Sequence, residues 1–309
     1  MKILVMGSGG VGGYFGGRLA AAGHDVTFVA RGAHLEAMRK DGLTLDSQIG
    51  NAVIKPARAV ADAGEAEAPD VVMFATKLGD TEAAAASLKP VVKDGTVIIT
   101  FQNGVDGPEI IQRVLPGADV VAGVARIASH ISRPGVIEHR SPFARIEFGA
   151  WDGKPSPKLE AFHAACKAAG IDAVLSPDIK RSLWMKFAML APFSGLTALT
   201  GATAGPLRET PGTRALIEAA VKEVIAVGTA AGVPFKPDDF ASLMKTVEGN
   251  PAAMTSSMAH DRMAGKPLEV NFLSGAVVRI GEKHGVAAPT HKFIQQALAI
   301  DAGGKTKGA

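Results

Sequence analysis

The sequence is poor in cysteine and has almost no net charge. Its 309 residues include one cysteine, Cys166, so no disulfide can form within the chain, and a reducing, cytoplasmic location is expected. Cys166 lies among small residues in a helix-like segment, which predicts a packed thiol without a redox role. The formal net charge is only +3, which gives no reason to expect a nucleic-acid ligand.

Long apolar runs are also missing. No stretch of about 18 apolar residues occurs, so no membrane span is expected. Strand-like residues begin at Lys2, which leaves no room for a signal peptide. Glycine is abundant, with 36 residues, and 47% of the chain is hydrophobic. This composition supports a large core, and the length predicts two domains.

The first part of the chain alternates short apolar runs with helix-like segments. Predicted strands lie at 2–7, 25–31, 70–77, 95–104 and 171–175, with a helix between the first two that ends near Gly23 and another helix at 158–169. Such alternation predicts βαβ units and a parallel sheet. Residues 119–150 are typical of short strands that extend this sheet.

The second part is helical in pattern. Ser176-Pro177-Asp178 predicts a boundary, because Ser or Asp can cap the helix that follows. Pro192 and Gly195 should break or kink that helix. Further helices are predicted at 213–232, 238–248, 255–264, 271–284 and 290–301, and the tail from 303 should fray. The predicted fold is α/β, with a Rossmann-type parallel-sheet domain at 1–177 and an all-helical domain at 178–309.

A dinucleotide-binding fingerprint opens the chain. It consists of Gly7, Ser8, Gly9, Gly10, Val11 and Gly12, which follow a strand and begin a helix. The three glycines of such a motif allow a tight turn, close approach of a pyrophosphate and close helix–strand packing. The helix N-terminus adds free N–H groups for the phosphates. A merely structural glycine-rich turn is the alternative.

Two basic residues indicate which dinucleotide binds. Arg31 ends the second strand, where an NAD enzyme usually has an acid that binds the ribose 2′-hydroxyl. A guanidinium there can bind a 2′-phosphate instead. Lys77 would supply a second positive charge. The cofactor predicted is NADPH, and solvated surface side chains are the alternative at both positions.

Polar residues in apolar or loop settings are the candidates for chemistry. Asn103 follows a central strand, at the sheet edge where ligands bind, although Asn-Gly is also a common turn. Lys186 lies in a strongly apolar helix, where it is either desolvated or reaches the surface. Taken alone, Ser257 is more typical of a helix N-terminal residue and Glu269 of a helix-start carboxylate.

The order of these segments resembles the ketopantoate reductase family over nearly the whole chain. The markers are GSGGVGG, TK at 76–77, QNGV at 102–105, RSLWMKF at 181–187, LTALTG at 196–201, SSMAHDRMAGKPLEVNFLSG at 256–275 and GVAAPT at 285–290. The resemblance implies NADPH-dependent reduction of 2-dehydropantoate to pantoate in pantothenate biosynthesis, by a protein that needs no metal. A homodimer is compatible with it.

The resemblance also implies residue roles. Lys186 matches the general acid, and Glu269 matches the carboxylate that binds the substrate hydroxyl. Ser257 matches a substrate-binding hydroxyl. Asn103 matches the amide that contacts both nicotinamide and substrate, and Arg31 with Lys77 matches the pair that favours NADPH.

Departures from the family concern the substrate. Asparagines are common four and eight residues after the lysine, but this chain has Leu190 and Ser194, the latter still a substrate-binding candidate. Asn271 stands where an acid is common. Two alternatives follow: a reductase of the same mechanism that acts on a more apolar 2-oxo acid, and a non-catalytic NADPH-binding sensor. A sensor would need neither Lys186 nor Glu269.

Overall fold

The structure is a computed structural model that describes residues 1–304. Most of the tail that was expected to fray, residues 305–309, lies outside the described residues.

Residues 1–304 contain twelve strands and twelve α-helices. The strands are β1 (Lys2–Met6), β2 (Asp25–Val29), β3 (Leu43–Ser47), β4 (Ala52–Ile54), β5 (Arg58–Val60), β6 (Val71–Phe74), β7 (Val97–Thr100), β8 (Asp119–Arg126), β9 (Ser129–Arg133), β10 (Val136–His139), β11 (Arg145–Gly149) and β12 (Asp172–Leu175). The helices are α1 (Gly10–Ala21), α2 (Gly32–Asp41), α3 (Thr81–Ser87), α4 (Gly107–Val114), α5 (Pro157–Ala168), α6 (Ile179–Thr200), α7 (Ala204–Glu209), α8 (Pro211–Ala230), α9 (Asp239–Gly249), α10 (Ser257–Met263), α11 (Ser274–His284) and α12 (Pro289–Ala297). Short 3-10 helices cover Ala63–Glu65, Leu78–Asp80, Glu269–Asn271 and Ala299–Asp301.

The chain divides into two compact units. Unit 1 consists of Met1–Gln102 and Gly107–Ser182. Unit 2 consists of Asn103–Asp106 and the chain from Leu183 onwards. Within the described residues every strand belongs to unit 1, and unit 2 is built from helices. The predicted combination of a sheet domain and a helical domain is therefore confirmed.

Unit 1 is organised around an eight-stranded sheet of order β12-β11-β8-β7-β6-β1-β2-β5. All neighbouring strands are parallel to each other except the pair β8 and β11, which run antiparallel to one another. From β5 to β8 the order is that of a Rossmann dinucleotide-binding sheet, and it reverses between β1 and β6. The loops after β1 and β6 therefore flank the crevice in which ligands of such sheets bind.

Both faces of this sheet are covered. Along β1, Ile3 and Val5 belong to one buried cluster, whereas Leu4 and Met6 belong to another. Successive side chains of a strand point to opposite faces, so the two clusters lie on the two sides of the sheet. This explains why the strand is a continuous apolar run instead of an alternating one.

A second sheet, of order β4-β3-β10-β9, corrects one expectation. Strands β8 and β11 extend the large sheet as predicted, but β9 and β10 do not, because β10 pairs with β3. The second sheet packs against α1, and glycines in that helix make the close approach possible. A Cβ atom at Gly13 would lie 2.9 Å from the side chain of Ile137, and one at Gly17 would lie 3.0 Å from the side chain of Leu45. Strand pairing of this kind depends on residues far apart in the sequence, so the local residue pattern does not predict it.

Helix α6 corrects a second expectation. Asp178 Oδ1 accepts the backbone N–H of Arg181 at 3.0 Å, so the predicted cap is confirmed. The predicted break is wrong, since Pro192 lies inside a continuous helix, and the alternative of a kink there stays a prediction. Proline removes one helical hydrogen bond, but Phe187 and Leu196 on either side are buried in the core of unit 2. Tertiary packing of the apolar helix outweighs the local cost.

The other helices lie close to their predicted bounds. Those predicted at 158–169, 213–232, 238–248 and 255–264 correspond to α5, α8, α9 and α10. The helix predicted from 271 starts only at Ser274, since Glu269–Asn271 form a 3-10 turn. No helix in residues 1–304 has the length and apolar character needed to span a membrane.

Cys166 is fully buried in α5. Burial raises the pKa of its thiol to about 12, because a thiolate cannot be solvated there. The predicted packed thiol is confirmed.

His291 in unit 2 makes stability depend on pH. The ring is 0% exposed, with Nδ1 3.2 Å from Ser274 Oγ and Nε2 3.2 Å from the Ala220 carbonyl oxygen. Burial lowers the pKa of His291 to about 4, whereas in the unfolded chain it should stay near its ordinary 6.5. The unfolded state therefore binds the proton first as the pH falls.

Acidification from pH 6.5 towards 4 is thus expected to lower the free energy of unfolding, by up to about 3 kcal/mol for this group at ~1.4 kcal/mol per pKa unit. Urea unfolding across that range would measure the loss. His291→Gln should show a shallower dependence on pH than the native protein. Equal slopes for the two proteins would assign the acid sensitivity to other groups.

Candidate active site

The loop between β1 and α1 shows why the fingerprint needs glycine. Gly7 has φ +97°, and a Cβ atom there would lie 2.9 Å from the carbonyl carbon of Ala75. At Gly12 a Cβ atom would lie 2.2 Å from the Gly7 carbonyl oxygen. These two glycines therefore allow the loops after β1 and β6 to touch and α1 to begin directly behind the turn.

Gly9 is different, because no contact within residues 1–304 requires a glycine at this position. Its φ is −77°, and a Cβ atom there would meet nothing within 4 Å. Its backbone N–H has no acceptor within residues 1–304. A residue without a side chain that faces open space and carries a free donor fits a bound pyrophosphate, which must approach the backbone closely.

The two basic residues lie at the same edge of the sheet. Arg31 follows β2 and is the N-cap of α2, while Lys77 follows β6, and both strands flank β1. Both side chains are exposed, and within residues 1–304 the Arg31 guanidinium forms no hydrogen bond or ion pair. The geometry leaves Arg31 available for an anionic ligand at the carboxyl edge of the sheet.

Gln102 was missed by the sequence analysis. It is 6% exposed and holds the end of β7 against the loop after β6. Its Nε2 donates to Thr81 Oγ1 at 2.8 Å and lies 3.2 Å from the Thr76 carbonyl oxygen, and its Oε1 accepts from Thr100 Oγ1 at 3.0 Å. The glutamine fixes the residues just before both Lys77 and Asn103.

In unit 2 the structure joins two candidates that lie far apart in the sequence. Lys186 Nζ donates to Asn103 Oδ1 at 3.0 Å. Lys186 is half-buried on α6, and its neighbours three and four residues along the helix include the buried Leu183 and the half-buried Met189 and Leu190. A cationic donor held by an amide in an apolar setting can donate a proton to, or stabilise negative charge on, an oxygen placed next to it.

Glu269 and Ser257 occupy different environments in unit 2. Glu269 starts a 3-10 turn and is 8% exposed, which is rare for a carboxylate without a role or a partner. Ser257 is exposed, and its hydroxyl forms no hydrogen bond within residues 1–304. The cap of α10 is its neighbour Ser256, whose Oγ accepts the Ala259 N–H at 3.0 Å. Ser257 is the first residue of α10, as the sequence suggests, but its hydroxyl does not cap the helix.

The departures from the family pattern continue along α6. Leu190 is half-buried one turn beyond Lys186. Ser194, a further turn on, is 1% exposed, and its Oγ has no hydrogen-bond partner in the described chain. Asn271 Oδ1 accepts from Gln295 Nε2 at 3.1 Å. Beyond Lys186, α6 therefore has an apolar side chain at Leu190 and a buried hydroxyl group at Ser194.

Comparison with known proteins gives matches over both units. Residues 3–153 match the family model described as ketopantoate reductase PanE/ApbA, and residues 178–300 match the model of its C-terminal part. A 2-dehydropantoate 2-reductase of Mesorhizobium japonicum is 32% identical, over 97% of this chain and 96% of the relative. The oxidoreductase YkpB of Bacillus subtilis, described as uncharacterized, is also 32% identical, over 97% and 98%.

Comparison with solved structures also gives a match over nearly the whole chain. The crystal structure of a PanE/ApbA family ketopantoate reductase from Ralstonia eutropha is 29% identical and superposes with a TM-score of 0.90, covering 98% of both chains.

Proposed function

This chain belongs to the ketopantoate reductase family of oxidoreductases, and we propose that it reduces a small 2-oxo acid to a 2-hydroxy acid with NADPH. The observation that supports this most strongly is the hydrogen bond between Lys186 Nζ and Asn103 Oδ1 at 3.0 Å. A protein that only binds the dinucleotide, without catalysis, does not need a lysine that an amide orients among apolar residues.

The cofactor belongs to unit 1 in this proposal. Among residues 1–304, Gly9 has a free N–H that faces open space and Arg31 has an unpaired guanidinium, and α1 presents its N-terminus. Lys77 adds a second positive charge at the same sheet edge. These residues fit a diphosphate and a ribose 2′-phosphate, and NADPH when bound supplies the hydride that goes to the carbonyl carbon.

The proton comes from unit 2. Lys186, as the ammonium ion, donates a proton to the carbonyl oxygen as negative charge develops on it, so that the carbonyl becomes a hydroxyl group. Asn103 accepts one N–H of Lys186 and thereby orients the remaining N–H groups. We assign Glu269 to the new hydroxyl group and Ser257 to the substrate's polar groups. Cofactor binding then belongs to residues 1–177, and substrate chemistry belongs to residues 178–309 together with Asn103.

Family membership favours 2-dehydropantoate as the substrate, as in the name of the relative from Mesorhizobium japonicum. A more apolar 2-oxo acid is the second candidate. It is favoured by the half-buried Leu190 and by the burial of the Ser194 hydroxyl group. Incubation of the full chain with NADPH and a panel of 2-oxo acids, with and without branching at C3, followed by identification of the 2-hydroxy acid formed, separates the two. Formation of no 2-hydroxy acid from any panel member would refute the proposed activity.

Cofactor preference gives a further prediction. NADPH should bind much more tightly than NADH, and Arg31→Asp should narrow or invert the difference, because a carboxylate repels the 2′-phosphate and can accept from a ribose hydroxyl. Fluorescence titration of both cofactors measures this. Lys40→Asp, the same charge change at an exposed position near the end of α2, is the control and should leave the preference unchanged. Equal affinities of the native protein for both cofactors would refute the role of Arg31.

A further inference from the structure

His34 on α2 connects two distant segments of unit 1. The backbone N–H of Gly135, in the turn between β9 and β10, donates to Nδ1 at 3.0 Å. On the other side of the ring, Nε2 lies 3.0 Å from the Ser8 carbonyl oxygen. An amide N–H can only donate and a carbonyl can only accept, so Nδ1 is unprotonated and Nε2 carries the proton. The ring is therefore the neutral Nε2–H tautomer.

Ser8 is held from its other side by β2. Its backbone N–H and its Oγ both donate to the Val29 carbonyl oxygen, at 3.2 and 2.8 Å. Ser8 is 4% exposed, so its side chain is packed inside the protein. The backbone at Ser8 thus has no freedom to rotate while both sets of hydrogen bonds persist.

The anchored carbonyl determines where the next N–H points. The Ser8–Gly9 peptide is trans, and in a trans peptide the C=O and the N–H point in opposite directions. Since the Ser8 carbonyl points at His34, the Gly9 N–H points away from it. That N–H has no acceptor within residues 1–304, and a Cβ atom at Gly9 would meet open space.

We infer that His34 is a positioning residue for cofactor binding: it fixes the Ser8–Gly9 peptide so that the Gly9 N–H is presented to the diphosphate of the dinucleotide. The inference rests on the proposed function, because it needs a dinucleotide at this loop. Burial lowers the pKa of His34, which agrees with the neutral ring that the two hydrogen bonds require.

The test compares two substitutions at this position. His34→Leu removes both hydrogen bonds and should raise the Kd for NADPH, measured by cofactor fluorescence, by about tenfold, while kcat at saturating NADPH stays nearly unchanged. His34→Gln offers an amide oxygen to Gly135 and an amide N–H to Ser8, so it should recover most of the affinity. A purely structural role would lower stability in both variants without this recovery of cofactor binding.

A matched control is available in the same unit. His163 is also partly buried, and its Nε2 lies 3.1 Å from the Ala173 carbonyl oxygen, away from the fingerprint loop. His163→Leu should cost a similar amount of thermal stability and leave the Kd for NADPH unchanged. If His34→Leu does not fold, His34→Asn, whose shorter side chain cannot span both partners, should show the same weakened binding.

The outcomes separate the inference from the proposed function. Native protein that binds no nicotinamide dinucleotide overturns both. Native protein that binds NADPH, with folded His34 variants that bind it equally well, overturns the inference alone. Weakened binding in His34→Leu or His34→Asn, recovery in His34→Gln and unchanged binding in His163→Leu support it.

Discussion

Lys186→Ala is expected to lower kcat by about 10²–10⁴-fold, the usual contribution of a positioned general acid. The variant loses both the proton for the developing alkoxide and the positive charge that stabilises it. The Kd for NADPH should change little, because the fingerprint, Arg31 and Lys77 belong to unit 1. Steady-state kinetics and fluorescence titration on the same preparation measure the two quantities.

Two further variants make this result specific. Lys186→Arg keeps the charge but has a far higher pKa, so it should also lose most turnover. Lys222→Ala is the control: Lys222 is an exposed lysine of α8 whose Nζ lies 4.8 Å from the centre of the Phe240 ring, and its loss should leave turnover near the native value. If Lys186→Ala retained most of its kcat, the lysine would not be the proton donor.

Substrate preference is the second large effect. 2-Dehydropantoate carries a hydroxyl group beyond its 2-oxo acid function, and Leu190 offers it no hydrogen bond. We expect kcat/KM to be lower for 2-dehydropantoate than for at least one 2-oxo acid with an apolar tail. Leu190→Asn should shift the ratio of the two values towards 2-dehydropantoate by roughly 10- to 100-fold, since one such hydrogen bond is worth ~1–3 kcal/mol.

The position matters in this experiment as much as the residue type. Leu216→Asn makes the same exchange on α8, where Leu216 is 36% exposed, and should leave the ratio unchanged. Leu190→Asn with Ser194→Asn completes the pair found in the family, although the 1% exposure of Ser194 leaves little room for the larger side chain. A native protein that prefers 2-dehydropantoate by a wide margin would show that Leu190 and Ser194 do not select the substrate.

The sequence predicts the parts of this molecule that are encoded locally. The fingerprint glycines, the buried strand at residues 2–6 and the cap at Asp178 each depend on neighbours a few residues away, and the structure has them in place. Lys186 is conspicuous in the sequence because a charge in an apolar helix needs an explanation. Its contact with Asn103 could not be predicted, since Asn103 is 83 residues distant and belongs to unit 2 only through a four-residue segment.

Features that depend on distant contacts could not be predicted. Strands β9 and β10 have the pattern of strands, but their place beside β3 depends on the glycine face of α1. The sequence around His34 does not indicate its role, because that role depends on hydrogen bonds to Ser8 and Gly135, which are far away along the chain. Pro192 shows the opposite case, in which a strong local signal is overridden by burial of the helix around it.

The proposed reaction is the NADPH-dependent reduction of a 2-oxo acid, with Lys186 as the proton donor. The most direct test is the rate of NADPH oxidation by the full chain with and without a panel of 2-oxo acids, with Lys186→Ala measured in parallel. We expect oxidation that requires a 2-oxo acid and that falls by about 10²-fold or more in the variant. NADPH binding without oxidation for every 2-oxo acid tested would contradict it and would identify a protein that binds the dinucleotide without catalysis.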